Sequence, residues 1–149
     1  MAIRRNVVIG GAAALIGLGA LAAFAVPTLN GLREGRHVEE SAYATGAKAK
    51  ADRTSMPAWL PDGATTVNYR MSTTGYDRLL AATVPDGRLP EGCTPGEPRG
   101  AVNLTAAWFP GDTRAKATAR CGSYDAALVG DRLYAWQDHA VELAALRAG

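Results

Sequence analysis

The chain has 149 residues and a formal net charge of +2, which at first sight is compatible with nucleic-acid binding. Nucleic-acid binding requires a clustered basic face, but residues 57–149 carry nine basic against ten acidic residues, and Lys116 is the only lysine after Lys50. The composition therefore excludes nucleic acid as a predicted partner.

The first 26 residues predict a membrane-spanning helix. Arg4 and Arg5 precede the stretch from Val7 to Val26, which contains no charged residue. At about 1.5 Å per residue, a helix of this length covers the hydrocarbon core of a bilayer, which is about 30 Å thick. The basic flank favours an N-terminus in the cytoplasm and places residues 27–149 outside the cell.

The same segment also resembles a secretory signal peptide that is removed. The sequence Ala23-Phe24-Ala25 provides the small residues that such a cleavage site requires. The apolar run, however, is longer than the 7 to 15 residues typical of a signal peptide. We therefore predict a retained signal-anchor helix over residues 1–26, with secretion after cleavage near Ala25 as the alternative.

Residues 27–56 predict a polar stalk. The segment is rich in glycine and mixed charges, and its apolar positions are too scattered to form the apolar stripe of an amphipathic helix. A change in composition at Met56-Pro57 marks the predicted start of the folded domain, residues 57–149. That length is enough for one small core.

The domain predicts a mainly β fold, α+β overall, because short segments of alternating polarity are separated by turn signals. We expect a small antiparallel meander or open barrel in which each strand has one wet face. Asp138 is the expected N-cap of a short C-terminal helix, and residues 91–100 are the expected loop. The predicted strands are residues 66–71, 78–84, 102–108, 114–121, 124–129 and 132–136, the last two joined in a hairpin by Gly130-Asp131.

Two cysteines, Cys93 and Cys121, lie in the part predicted to be outside the cell, where disulfides form. Their separation is not that of a redox C-x-x-C motif, and no histidine lies between them as a metal ligand. The alternation that ends at Cys121 also directs its side chain towards the core. We predict a structural disulfide between the two.

The sequence shows no catalytic or cofactor-binding constellation. His37 lies in the predicted stalk, and His139 cannot face its sequence neighbour Asp138 on a helix. The two histidines do not have the spacing of metal ligands, so no metal or cofactor is predicted. Three acidic residues have no explanation as turn residues and leave a glycosidase-type carboxylate pair as an alternative: Glu91, Glu97 and Asp125.

Aromatic residues are the best candidates for a binding surface, because they stack on sugars and anchor protein partners. Most should fill the core of so small a domain. Trp136 is the expected exception, because it alternates with Arg132 and Tyr134 while Leu133 takes the other face. The predicted candidate surface consists of Trp136, Tyr134 and Trp59.

The composition, the N-terminal anchor and two segments carry a resemblance. Trp59-Leu60-Pro61-Asp62-Gly63-Ala64 and Leu133-Tyr134-Ala135-Trp136 resemble small membrane-anchored or secreted hypothetical proteins of high-GC Gram-positive (actinobacterial) bacteria. The resemblance implies an exterior location and a disulfide between Cys93 and Cys121. It implies no activity and no functional residues.

Together these observations predict a single-pass membrane protein whose exterior domain is a binding or accessory module of the cell envelope. A cell-wall- or lipid-modifying enzyme, anchored or secreted, is one alternative. A small subunit of a larger membrane protein complex is the other.

Overall fold

The structure is a computed structural model that describes residues 37–149, which form one compact unit. The seven strands of this part of the chain belong to a single antiparallel sheet in the order β1-β2-β3-β7-β6-β5-β4. The prediction of a mainly β fold is confirmed. The strands are β1 Val38–Thr45, β2 Thr65–Ser72, β3 Arg78–Thr83, β4 Cys93–Pro95, β5 Ala119–Cys121, β6 Tyr124–Val129 and β7 Arg132–Gln137.

Within residues 37–149, three short α-helices accompany the sheet: α1 Gly46–Asp52, α2 Thr113–Lys116 and α3 His139–Ala148. The side chain of Asp138 accepts a hydrogen bond from the backbone N–H of Ala140 and caps α3, as predicted. Within residues 37–149, no helix has the length and hydropathy needed to cross a bilayer. The predicted membrane helix, Val7 to Val26, lies outside the described residues.

The predicted hairpin is the centre of the sheet. Strands β6 and β7 pair from Val129↔Arg132 outwards, and Gly130 adopts a φ of +65° in the turn between them. Glycine adopts a positive φ without steric cost, so Gly130 favours the tight turn that sets the register of the two central strands.

The first face of the sheet is covered by α1 and the loop that follows it. Leu60 and Ala49 from this layer are fully buried against Tyr69 and Leu80 of the sheet. The disulfide between Cys93 and Cys121 lies at the end of the same face, where it joins β4 to β5. Both the predicted disulfide and its pairing are thus present.

The domain begins earlier than the sequence indicated. Residues 38–56, assigned to the polar stalk, contain β1, α1 and the buried side chains of Ala49 and Met56. The prediction failed because β1 is a sheet edge none of whose residues is fully buried, so it lacks the apolar alternation of a strand with one buried face.

The second face is also covered, which the sequence did not indicate. Residues 101–117 lie across it, so Leu79 and Ala81 of β3 are as fully buried as Leu80 and Ala82 on the first face. The expectation of one wet face per strand is therefore wrong for the central strands. Two predicted strands are also wrong, because residues 102–108 pair with no strand and residues 114–121 form α2 followed by the short β5.

Candidate functional site

The three aromatic candidates predicted from the sequence do not form one surface. Trp136 is completely buried on the second face, where its Nε1 donates to the carbonyl oxygen of Gly100 at 3.3 Å. Its predicted exposure is wrong because the layer of residues 101–117 covers the face on which it lies. The alternation that placed it opposite Leu133 was correct.

Tyr134 belongs to the same covered face and is half-buried there. Its ring meets the ring of Phe109 edge-on, with centroids 5.8 Å apart. Trp59 packs against the core of the opposite face, so the sheet separates it from Tyr134 and Trp136. Only Trp59 remains a candidate for binding.

Trp59 lines an open cleft of about 590 Å³, which we call the Trp59 cleft. This volume lies within the range of natural ligand sites. Apolar groups supply part of its wall, and charged side chains supply the rest. The cleft is lined by Lys50, Ala58, Trp59, Leu60, Pro61, Asp62, Glu91 and Gly92.

The local fold fixes the position of the Trp59 ring. Leu60, the neighbouring residue, is fully buried, and its N–H donates to the carbonyl of Pro57 at 3.2 Å. The ring meets Tyr124 edge-on, with centroids 5.5 Å apart. A Cβ added at Gly122 would lie 3.5 Å from Cδ1 of Trp59, an ordinary contact distance, so the backbone at Gly122 packs directly beside the indole.

The disulfide joins two segments that contact Trp59. Gly92 and Gly122 directly adjoin Cys93 and Cys121, and both glycines approach Trp59. The bond between the cysteines therefore holds together two of the segments against which the indole rests. This is the structural connection between the predicted disulfide and the cleft.

Two of the three charged side chains in the cleft form an ion pair with each other, and the third does not. Lys50 and Asp62 form an ion pair of 2.6 Å across it. The carboxylate of Glu91 has no hydrogen bond or ion pair with any residue of the described part of the chain. The cleft thus presents one uncompensated negative charge beside an aromatic wall.

The indole N–H of Trp59 is also without a partner. It is shielded from solvent and finds no acceptor among residues 37–149. A shielded donor without an acceptor costs about 1 to 3 kcal/mol. An arrangement that supplied an oxygen to this N–H would recover part of that cost.

A second recess of about 440 Å³ lies beside Arg53 and Met71, but its two charged side chains, those of Asp52 and Arg53, already have partners. Arg53 donates to Glu39 at 2.9 Å and to the hydroxyl of Tyr43 at 3.1 Å. These hydrogen bonds, to Glu39 first, raise the pKa of Arg53 above its ordinary value. The cluster joins β1 to the end of α1, so we interpret it as structural.

The three unexplained carboxylates do not form a catalytic pair. Asp125 is buried and accepts hydrogen bonds from the N–H groups of Arg99 and Gly100 at 3.0 and 2.9 Å and from Arg99 Nε at 3.2 Å. It is therefore saturated by the loop that it holds. Glu91 lines the Trp59 cleft, whereas Glu97 does not.

Among the described residues, neither histidine is paired with a nucleophile or a carboxylate. Nδ1 of His139 accepts a hydrogen bond from the N–H of Tyr76 at 3.1 Å, and the two rings stack with centroids 5.5 Å apart. His37 is exposed at the start of the described chain. Within residues 37–149, no group of three or more His, Cys, Asp or Glu side chains is placed to hold a metal ion.

Comparison with known proteins adds no family to this description. No family model, curated protein or solved structure matches the chain. The candidate site therefore rests on its own geometry.

Sequence reasoning named Trp59 and singled out Glu91 separately but did not bring them together. It missed Lys50, which was placed in the stalk although it lines the same cleft. The available signal was the composition of residues 47–51, where alanine and lysine favour a helix.

Proposed function

We propose that the chain is a binding or accessory module of the cell envelope, whose ligand site is the Trp59 cleft. In this proposal a helix over Val7 to Val26 anchors the protein in the membrane and the domain lies outside the cell. No cofactor takes part.

The observation that supports this proposal is the composition of the cleft. An aromatic ring lies beside the unpaired carboxylate of Glu91, and apolar groups of Leu60 and Pro61 complete the wall. Such a site binds a ligand that combines a hydrophobic face with hydrogen-bond donors or a positive charge. Amino sugars of the wall glycan and cationic segments of envelope proteins have this chemistry.

An enzyme acting on the cell wall or on lipids is the second candidate, and one observation favours it. Two carboxylates, those of Asp62 and Glu91, line the same cleft. Catalytic carboxyl groups act as acid and base when their surroundings withdraw them from water. The Asp62 side chain is 76% exposed and paired with Lys50, so the geometry supports binding better than catalysis.

The test is a binding measurement with the full-length protein in detergent micelles. Purified wall glycan fragments are one probe, and the solubilised membrane proteins of the host are the other. We expect one probe to bind and Glu91→Gln to weaken that binding about tenfold, which corresponds to the loss of one charge-assisted hydrogen bond.

The matched control is Glu97→Gln, which removes a carboxylate that is also exposed but lies outside the cleft. Equal binding by both variants would overturn the assignment of the cleft. Turnover of the glycan that Glu91→Gln abolishes would establish the enzyme instead. Recovery of a stoichiometric membrane complex that tolerates both changes would favour the third alternative, a subunit held by its helix.

A further inference from the structure

The two edges of the sheet differ in a way that points to an interaction surface. At one edge, β4 has three residues and ends at Pro95. A short strand with a proline is a common protection against unwanted pairing. At the other edge, β1 has eight residues, contains neither proline nor lysine, and pairs with β2 without a register shift.

The outer side of β1 offers a regular row of backbone groups. The carbonyl of His37 accepts from the N–H of Thr73 at 2.8 Å. Because antiparallel pairs alternate between bonded and non-bonded positions, the odd-numbered residues of β1 bond to β2, and the even-numbered ones point outwards. Within residues 37–149, no backbone partner meets that outer side at Val38, Glu40, Ala42 and Ala44.

The two acidic residues of β1 do not protect this edge. Glu39 is paired with Arg53 at 2.9 Å and Glu40 with Arg70 at 2.6 Å. The Nε1 of Trp108 also donates to Glu40 at 2.6 Å. Since their charges are compensated from within the domain, they repel an approaching strand only weakly. Ala42 and Ala44, further along β1, are small, uncharged and exposed.

We propose that β1 pairs with β1 of a second copy of the chain, in an antiparallel register centred on Ser41. In this register Val38 lies opposite Ala44 of the second copy, and Glu40 lies opposite Ala42. All four outward-facing residues of each copy then exchange both of their backbone hydrogen bonds with a counterpart. A two-fold axis makes the contact self-complementary, as in most homodimers.

An unpartnered side chain at the centre of the strand supports this register. The Oγ of Ser41 is shielded from solvent and has no hydrogen-bond partner among the described residues. In the proposed pair, Ser41 lies opposite its own counterpart at a non-bonded position, where Cβ atoms approach to about 5 Å and hydroxyl groups can bond across the strands. Because the Oγ is shielded within one copy, this bond requires a rotation about χ1 of Ser41 that turns the hydroxyl towards the second copy. After that rotation, a second copy satisfies an atom that one copy leaves unsatisfied.

The register also places no like charges directly opposite each other. The two Glu40 residues are diagonal neighbours, about 7 to 8 Å apart, and each is paired with Arg70 of its own copy. Glu39 lies opposite Tyr43 of the second copy, on the face where Arg53 already contacts both residues within each copy. No acidic residue lies directly opposite another. A second copy of β1 therefore complements the first in its backbone hydrogen bonds, in the size of its side chains and in its charges.

The test uses the full-length protein in membranes with single cysteine substitutions. We expect Ser41→Cys to form a covalent dimer on mild oxidation, because opposed Cα atoms at a non-bonded position are about 4.5 Å apart. The control is Ala44→Cys, whose two copies would be six residues, or about 20 Å, apart along the strands. This variant should remain monomeric on a non-reducing gel.

A second pair of variants tests the backbone directly. The N–H of Ala42 points outwards, so Ala42→Pro removes no bond to β2 but removes one from the proposed interface. Ala42→Val keeps the N–H. We expect light scattering in detergent to show a dimer for the unchanged protein and for Ala42→Val, and a monomer for Ala42→Pro with an unchanged melting temperature.

Three results would overturn the proposal: a monomer at every concentration tested, a dimer that persists in Ala42→Pro, or cross-linking of Ala44→Cys as efficient as that of Ser41→Cys. If Ala42→Pro also lowers the melting temperature, the cross-linking of Ser41→Cys compared with that of Ala44→Cys decides whether β1 pairs with β1. None of these variants changes the Trp59 cleft, so the result is independent of the proposed function.

Discussion

The carboxylate of Asp138 joins one distant segment of the chain, residues 101–103, to the start of α3. It accepts from the N–H of Ala101 at 2.8 Å, from the N–H of Ala140 at 2.9 Å and from the amide of Asn103 at 3.1 Å. Burial alone would raise the pKa of Asp138, but these hydrogen bonds outweigh it and lower the pKa below its ordinary value. One side chain thus caps a helix and fastens the layer on the second face.

We expect Asp138→Ala to lower the free energy of unfolding by about 1 to 2 kcal/mol at neutral pH, the usual cost of losing a charged N-cap. Because the folded state lowers the pKa, this contribution is fully present above the ordinary value of 3.8 and is lost as the pH falls through the folded value. Denaturant unfolding between pH 3 and pH 7 measures it.

The control for this prediction is Asp112→Ala. Asp112 precedes α2 but makes no side-chain capping bond, and its ion pair with Lys116 is exposed to solvent. We expect no resolvable change in stability from this substitution. The role assigned to the charge would be contradicted if the free energies of unfolding of Asp138→Ala and of the unchanged protein differed by the same amount at every pH down to 3.

Among the elements, the junction between β1 and α1 depends on a close approach of two backbones. Gly46 is buried, and its N–H donates to the carbonyl of Ala64 at 2.8 Å. A Cβ at this position would overlap the carbonyl oxygen of Pro61, a backbone atom that cannot rotate away. Only glycine lets α1 begin so close to the loop that carries Trp59.

We therefore expect Gly46→Ala to destabilise the domain by about 3 kcal/mol, the upper end of the usual cost of overpacking. Gly111→Ala is the matched control, because a Cβ at Gly111 meets nothing within 4 Å. It should change the free energy of unfolding by less than about 0.5 kcal/mol. Equal melting temperatures for the two variants would show that the junction relaxes.

The same elements show how far the sequence predicts this fold. Alternation identified β2, β3, β6 and β7 because each of these strands buries at least one face. It also predicted a strand over residues 102–108, where the structure has an extended segment lying on the sheet: Val102 and Leu104 are half-buried and Asn103 is exposed. Alternation reports an extended chain on an apolar surface, whether or not it has a strand partner.

The site was only partly predictable for a related reason. Trp59 stood out by residue type, but its exposure depends on which segments cover each face of the sheet. The cover of the second face is a segment that pairs with no strand, and its alternation does not indicate which face of the sheet it covers, although it buries Trp136. Tertiary packing of such segments is what single-sequence reasoning does not reach.

For the whole molecule, the disulfide is the main constraint on the end of the sheet that carries β4. Strand β4 pairs only with β5, over three residues, and Cys93 lies directly opposite Cys121 in that pair. We expect Cys93→Ser/Cys121→Ser to lower the free energy of unfolding by about 3 to 4 kcal/mol, because the unfolded chain loses a closed loop.

Thermal unfolding with and without a reducing agent provides the measurement. The unchanged protein under reducing conditions should melt at the same temperature as the double variant. A large difference between these two melting temperatures would contradict the explanation that the disulfide bond alone accounts for the stabilisation. We also expect reduction to weaken any binding at the Trp59 cleft, because Gly92 and Gly122 adjoin the cysteines and approach the indole.

The extent of the folding unit gives the last prediction. The sequence placed the start of the domain at Pro57, whereas the structure places it at His37. A chain beginning at His37 keeps β1, α1 and the buried side chains of Ala49 and Met56. A chain beginning at Pro57 loses them and leaves the core residues of β2, Val67 and Tyr69, under an incomplete layer.

We therefore expect the chain that begins at His37 to unfold cooperatively and the chain that begins at Pro57 to lose near-UV circular dichroism and cooperative melting. The shorter chain loses two buried side chains and an eight-residue strand. The free energy that these groups contribute exceeds the usual free energy of unfolding of a domain this small. If the shorter chain melted as sharply as the longer one, residues 38–56 would be an accessory layer that the core does not require.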